Sequence, residues 1–104
     1  MNLDSALALD GELTAPYANA QRERLLNWVE QAAPRGGQHL QLDLAAIAEM
    51  DTAGAQLLLA LAKELRGRGA ELAIVNPSHA VAGVLATYRL HAALRLAQTQ
   101  GAQA

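Results

Sequence analysis

At Asp51-Thr52 a hydroxyl stands beside a carboxylate, followed by Ala53-Gly54 and the apolar run Ala55-Gln56-Leu57-Leu58-Leu59-Ala60-Leu61. Such a run reads as a helix, and a helix start exposes unpaired backbone N–H groups that favour negative charge. A Thr placed there serves one of two chemistries. Its side-chain oxygen caps the helix, or its hydroxyl accepts and gives up a phosphoryl group. Residue type and spacing leave both readings open. Asp43 lies upstream in Leu40-Gln41-Leu42-Asp43-Leu44, near the end of a buried strand that a short turn joins to Asp51. In open α/β sheets, ligands and partners meet the carboxyl ends of strands.

Other catalytic patterns are incomplete. Gly67-Arg68-Gly69 begins like a dinucleotide loop, but Leu72 stands where the third glycine belongs, and no G-x-x-x-x-G-K run exists. His39, His79 and His91 are too scattered for a metal pattern. Ser78 and His79 are sequence neighbours, which do not face each other on a helix; Ser78 reads as a helix cap. Two aspartates without a base, metal cluster or phosphate loop make a thin catalytic site. The expectation is a protein that is not an enzyme and holds no cofactor or metal.

The elements that must carry these residues follow from periodicity. Ala6 to Leu13 reads as a hairpin turning at Asp10-Gly11. Pro16 suits a helix start, and Ala18, Leu25, Val29 and Ala32 keep helical spacing until the loop Pro34-Arg35-Gly36-Gly37. Leu40, Leu42 and Leu44 alternate as in a strand. Leu57, Leu58, Leu61 and Leu65 form a helical stripe that ends at Gly67-Arg68-Gly69, and Leu72 to Val75 is a short apolar strand. Asn76-Pro77-Ser78 then opens a last helix through Val81, Val84, Leu85 and Tyr88. Residues 91–97 fit strand or helix equally. The order hairpin, helix, strand, helix, strand, helix predicts an α/β fold with a mixed sheet. Residues 1–97 read as one domain and 98–104 as a disordered tail.

Composition narrows the function classes. With 104 residues the chain is long enough for a core without staples, and with no Cys it has no disulfide or thiol chemistry. The formal net charge of -2, without a dense basic block, argues against nucleic acid as a partner. Met1-Asn2-Leu3-Asp4 lacks the character of a signal peptide, and Thr52 to Ala62 is too short to span a membrane. The expected setting is the cytoplasm, with no membrane insertion.

Leu42-Asp43-Leu44, Met50-Asp51-Thr52-Ala53-Gly54, the leucine-rich helix and Leu72-Ala73-Ile74-Val75-Asn76 together resemble the STAS domain (sulphate transporter and anti-sigma factor antagonist) over about Leu7 to Leu90. The resemblance implies a mixed four- to five-stranded sheet with an N-terminal hairpin and helices packed against it. It places Asp51-Thr52 on the family's Asp-Ser/Thr pair, whose hydroxyl is phosphorylated in bacterial anti-sigma factor antagonists. Those proteins bind an anti-sigma factor that is also a serine/threonine kinase. Phosphorylation breaks the complex and a phosphatase restores it. The chain departs from the common pattern at Thr52, where Ser is usual, at Ala53, where a second Ser or Thr is frequent, and at Ala55, where Leu is usual. By analogy Leu94-Arg95-Leu96 is a final strand, and the family's last helix is shortened or absent. The chain also resembles the small STAS subunit of bacterial phospholipid-transport ABC complexes, which implies an ABC-transporter ATPase as the alternative partner, and stand-alone STAS proteins of chemotaxis systems.

From Thr52, the positions Gln56, Leu59 and Lys63 follow at helical spacing on a face other than the buried stripe. Asp51, Thr52, Gln56, Leu59 and Lys63 are therefore the expected partner-binding residues, with Leu59 an exposed apolar contact and Thr52 the phosphorylation site.

Overall fold

The protein is described by a computed structural model over residues 5–32 and 39–90. Its elements run β1 (Ser5–Leu13), a 3-10 turn (Ala15–Tyr17), α1 (Ala18–Ala32), β2 (His39–Met50), α2 (Thr52–Gly67), β3 (Glu71–Val75) and α3 (His79–Thr87). The described strands form a three-stranded sheet in the order β1-β2-β3, and both pairings are parallel.

This corrects the expected hairpin and the four- to five-stranded mixed sheet. Ser5 to Leu13 is one strand that runs straight through Asp10-Gly11, with Gly11 at φ 89°. The glycine's freedom is used for irregular pairing, not for a reversal. The β1–β2 register slips between Ala8 and Asp10 and again between Gly11 and Glu12, with an extra β2 residue at each place. Gln21 of α1 explains why this is stable. It is buried, and its Nε2 donates to the Asp10 carbonyl at 2.8 Å and the Glu12 carbonyl at 3.1 Å. A distant helix thus satisfies backbone groups that the slipped ladder releases.

The same slips account for the length of β2. Leu40, Leu42, Leu44, Ile47 and Met50 are all buried. They step by two residues as far as Leu44 and then by three, because each bulge inserts one residue before the next inward side chain. The segment after Leu44, expected to be a turn, is therefore strand as far as Met50, and Asp43 lies within β2. One Asp43 carboxylate oxygen accepts from the Ala45 N–H at 2.9 Å and the other from Asn76 Nδ2 at 3.1 Å. Asp43 is thus a clip between β2 and the start of the β3–α3 connection.

The inward face of the sheet is aliphatic, with Leu9, Leu13, Leu40, Leu42, Leu44 and Ile74 fully buried, whereas Ala6, Ala8 and Gln41 point outward. Helix α2 packs across all three strands, α1 on β1 and α2, and α3 mainly on β2. Leu58, Leu61 and Leu65 supply α2's buried stripe, with Gly54, Ala55 and Ala62 letting its backbone approach closely; Leu57 is only half-buried. Full burial of each such leucine contributes roughly 1.5–3 kcal/mol before entropy is counted. Val81 and Leu85 anchor α3, while Val84 is half-buried. As the sequence predicts, Ser78 caps α3, its hydroxyl oxygen accepting from the Val81 N–H at 3.2 Å. At the other end Arg89 takes φ 56°, a left-handed position that ordinarily favours glycine, as the chain leaves Tyr88. The loop at 34–37, the ambiguous stretch 91–97 and the tail 98–104 lie outside the described residues.

Candidate functional site

The end of β1 is the seat of the site. The Leu13 carbonyl accepts from the Asp51 N–H at 3.1 Å, which ties the start of α2 to the strand. Three residues into the helix, Gly54 rests on the same carbonyl. A Cβ there would lie 2.1 Å from the Leu13 oxygen and 2.8 Å from the Leu13 Cβ. The glycine of Asp-Thr-Ala-Gly is thus required by close helix–strand approach. Sequence reading gave it no role.

Asp51, not Thr52, is the helix cap. It is extended at φ -130°, and its Oδ1 accepts from the N–H groups of Ala53 at 2.9 Å and Gly54 at 3.2 Å. Its Oδ2 accepts from the Ala15 N–H at 3.0 Å, reaching back to the 3-10 turn. The Ala15 amide is the largest cause holding this carboxyl below its ordinary value; partial burial opposes it, and the Gly54 and Ala53 amides add to it. Asp51 is therefore a charged clamp with both oxygens engaged.

That arrangement leaves Thr52 at the first helical position, exposed, its hydroxyl without a hydrogen-bond partner among the described residues. The capping alternative for Thr52 is overturned, because the residue before it already satisfies the first-turn amides. Gln56 and Lys63 are exposed further along α2, as expected. Leu59 is not the exposed contact expected of it: it is half-buried and packs against the core, since α2's apolar stripe is wider than its leucine spacing indicates.

The structure adds a wall that the local sequence did not reveal. Thr52 and Glu49 line an open groove of about 610 Å³ whose far side is α3, with His79, Gly83, Thr87 and Tyr88 facing it. Gly83 has no atom within 4 Å of the position its Cβ would take, so it keeps the groove wide. Tyr88 is 52% exposed; with Tyr17, also 52% exposed in the 3-10 turn that Asp51 holds, it is one of two large exposed hydrophobic residues among those described. Only the fold brings Tyr88 into one groove with Asp51 and Thr52. Among the described residues no group of three His, Cys, Asp or Glu is placed to hold a metal, and no helix is long and apolar enough to cross a membrane.

Comparison with known proteins agrees with this architecture. The chain matches 39% of residues over 75 positions with low affinity sulfate transporter 3 of Stylosanthes hamata, a stretch covering 64% of this chain and 12% of the transporter. The structure of the anti-sigma factor antagonist SpoIIAA in its unphosphorylated form superposes with a TM-score of 0.67 at 22% identity, covering 90% of this chain and 80% of that one. A Thermotoga maritima protein described as a candidate anti-sigma factor antagonist gives a TM-score of 0.69 at 20% identity, covering 92% and 81%. These likenesses establish a shared fold. The family model for the STAS domain matches residues 3–102, nearly the whole chain, and the protein belongs to the STAS domain family.

Proposed function

We propose that this protein is a regulatory protein-binding module of the anti-sigma factor antagonist kind, acting in the cytoplasm and switched by phosphorylation of Thr52. One observation carries the reading: Asp51 does the capping, so the Thr52 hydroxyl is exposed, unengaged and held at a helix N-terminus beside an open groove. A hydroxyl whose removal would leave the helix start intact is free to serve as an acceptor. The kinase transfers the γ-phosphoryl group of ATP: the Thr52 Oγ1–P bond forms, the bond to the ADP oxygen breaks, and the hydroxyl proton passes to a base. Both Asp51 oxygens are occupied, so that base belongs to the kinase. The phosphate adds about -1.5 to -2 charge. The helix end tolerates it, so the fold survives while the docking surface changes in charge and shape. A tenfold loss of affinity for the partner needs only about 1.4 kcal/mol.

The test is recovery of the partner on the immobilised protein, followed by ATP labelling and affinity measurements. Labelling is expected on Thr52, and Thr52→Glu is expected to bind more weakly at an unchanged melting temperature. Gln56→Glu, one turn along the same face, is expected to weaken the complex without replacing the phosphorylation site. Labelling confined to another residue, or parental affinity in Thr52→Glu, would refute the switch. Recovery of an ABC-transporter ATPase without any labelling would favour the lipid-transport alternative.

A further inference from the structure

We infer that residues 5–9, the first half of β1, form an open sheet edge on which a second copy of this chain pairs antiparallel, about a two-fold axis at Leu7. The inference goes beyond the proposed function and does not depend on it. In the sheet order β1-β2-β3, β1 has β2 on one side and no strand on the other among the described residues. An edge strand presents a row of unpaired N–H and C=O groups, and folds protect such rows with charges, prolines, bulges or a covering group. The second half of β1 has these protections. Its ladder slips, Asp10 pairs with Arg24 at 3.0 Å, and Gln21 Nε2 occupies the Asp10 and Glu12 carbonyls. The first half lacks them. Ser5-Ala6-Leu7-Ala8-Leu9 carries no charge and no proline, and its pairing with β2 is regular over residues 5–8. Trp28 Nε1 donates to the Ser5 hydroxyl oxygen at 3.0 Å, but among the described residues nothing outside the sheet bonds the backbone of this half.

Burial singles out the same half strand. Leu7 and Leu9 point to the same face of the sheet, yet Leu9 is fully buried and Leu7 only half-buried. At the other edge the inward residues of β3, Leu72 and Ile74, are both buried. Apolar surface is therefore left open beside β1 and closed beside β3.

A second copy fits this edge because the segment is self-complementary. With the axis at Leu7, Ala6 stands opposite Ala8 of the second copy, and Ser5 opposite its Leu9. Each residue meets one of the same parity along the strand, so outward-pointing N–H and C=O groups meet each other. Leu7 meets Leu7 and covers the surface that a single chain leaves exposed. Beyond this stretch the same register sets Asp10 against Asp4, like charges that end the ladder. So short a ladder buries far less than the roughly 1,200 Å² of a stable interface, and the dimer is weak and concentration-dependent. The Thr52 corner is tied to Leu13, at the opposite end of β1, and takes no part.

The test is sedimentation equilibrium of the full chain from about 10 µM to about 1 mM, with 15N spectra over the same range. A reversible monomer–dimer equilibrium is expected, with concentration-dependent shifts at the amides of Ala6, Leu7 and Ala8 and at the indole of Trp28, the only tryptophan. The Ala6 and Ala8 side chains are exposed, so both can be replaced without disturbing the core. Ala6→Lys combined with Ala8→Lys sets like charges directly across the axis and is expected to weaken association about tenfold. Ala6→Glu combined with Ala8→Lys sets opposite charges there and is expected to associate at least as tightly as the parent. Thr52→Glu is expected to leave association unchanged. A chain that stays monomeric throughout, leaving the edge to a strand of some other protein, would overturn the proposal. So would shifts centred away from β1, parental association in the double-lysine variant, a glutamate–lysine variant as weak as the double-lysine one, or loss of the dimer in Thr52→Glu.

Discussion

Replacing Gly54 with alanine tests the seat of α2 directly. The new Cβ would stand 2.1 Å from the Leu13 carbonyl oxygen, 2.8 Å from the Leu13 Cβ and 2.9 Å from the Leu13 carbonyl carbon. None of these atoms can rotate away, because Leu13 is fully buried and paired with Met50 in the β1–β2 ladder. The helix start must retreat by about 1.3 Å to reach ordinary contact at 3.4 Å. Overpacking of this kind costs about 1–3 kcal/mol, and the upper part applies where backbone is the obstacle. The retreat also stretches the bond from Asp51 N–H to the Leu13 carbonyl, which is worth about 1 kcal/mol. Alanine's better helix propensity returns about 1 kcal/mol. The net expectation is a loss of about 2–3 kcal/mol, or roughly 10–20 °C in melting temperature for a domain of this size. Urea denaturation followed by circular dichroism reads it, with Gly83→Ala as the matched control. Gly83 is exposed and its Cβ would meet nothing within 4 Å, so that change should stabilise by about 0.5–1 kcal/mol. If Gly54→Ala is as stable as Gly83→Ala, the close approach of α2 to β1 is wrong, and with it the account of how Thr52 is positioned.

Four further outcomes are expected. Thr52→Ala should change stability by no more than about 0.5 kcal/mol, while Ser78→Ala should cost about 1 kcal/mol, because only the second removes a cap; equal losses in urea titration would restore Thr52 as a cap. Leu61→Ala, at a position 4% exposed, should cost about 2–5 kcal/mol, and an unchanged urea midpoint would show the stripe to be misassigned. Arg89→Gly should stabilise by about 1 kcal/mol by relieving a left-handed residue at φ 56°, and a lower midpoint would contradict that backbone geometry. The Asp51 carboxyl, depressed below 3.8 chiefly by the Ala15 amide, contributes stability present above that ordinary value and lost as pH falls through its lower folded value. The stability gap between the parent and Asp51→Asn should therefore persist at neutral pH and close only in acid; a gap constant from about pH 7 to about pH 2 would exclude a charged clamp.

The parts of this fold that periodicity reveals are those whose partners are local or purely apolar. Leu40, Leu42 and Leu44, the Leu58, Leu61 and Leu65 positions of α2 and the Ser78 cap were all readable from their own neighbourhoods, whereas the placing of Leu57 and Leu59 was not. Asp10-Gly11 was not, because the same dipeptide suits a hairpin turn and a bulge, and the carbonyls that decide between them are satisfied by Gln21 from another element. Likewise Asp and Thr are both favoured caps, and adjacent positions cannot be ranked by type; the Ala15 amide, supplied from the 3-10 turn, lies far from either in sequence. The residues Asp51 and Thr52 were legible as a pair, but their division of labour was not. Glu49 and Gly83 carry no local signal, and Tyr88 carries only helical spacing, which does not show its exposure; the three meet only across the groove.

The hold of the Leu13 carbonyl on the Asp51 amide has a consequence for when the site comes into being. Parallel strands cannot pair until the intervening crossover has closed, which makes such contacts late in folding. The Asp-Thr-Ala-Gly corner takes its shape from the far end of β1, so it is a product of long-range assembly. A peptide spanning residues 48–60 carries the letters of the site without the clamp from Ala15 or the seat on Leu13. Under the proposed phosphorylation of Thr52, a kinase that recognised the corner by its shape would read completion of the fold as well as sequence, and chains still being made or already unravelled would present it with nothing to grip.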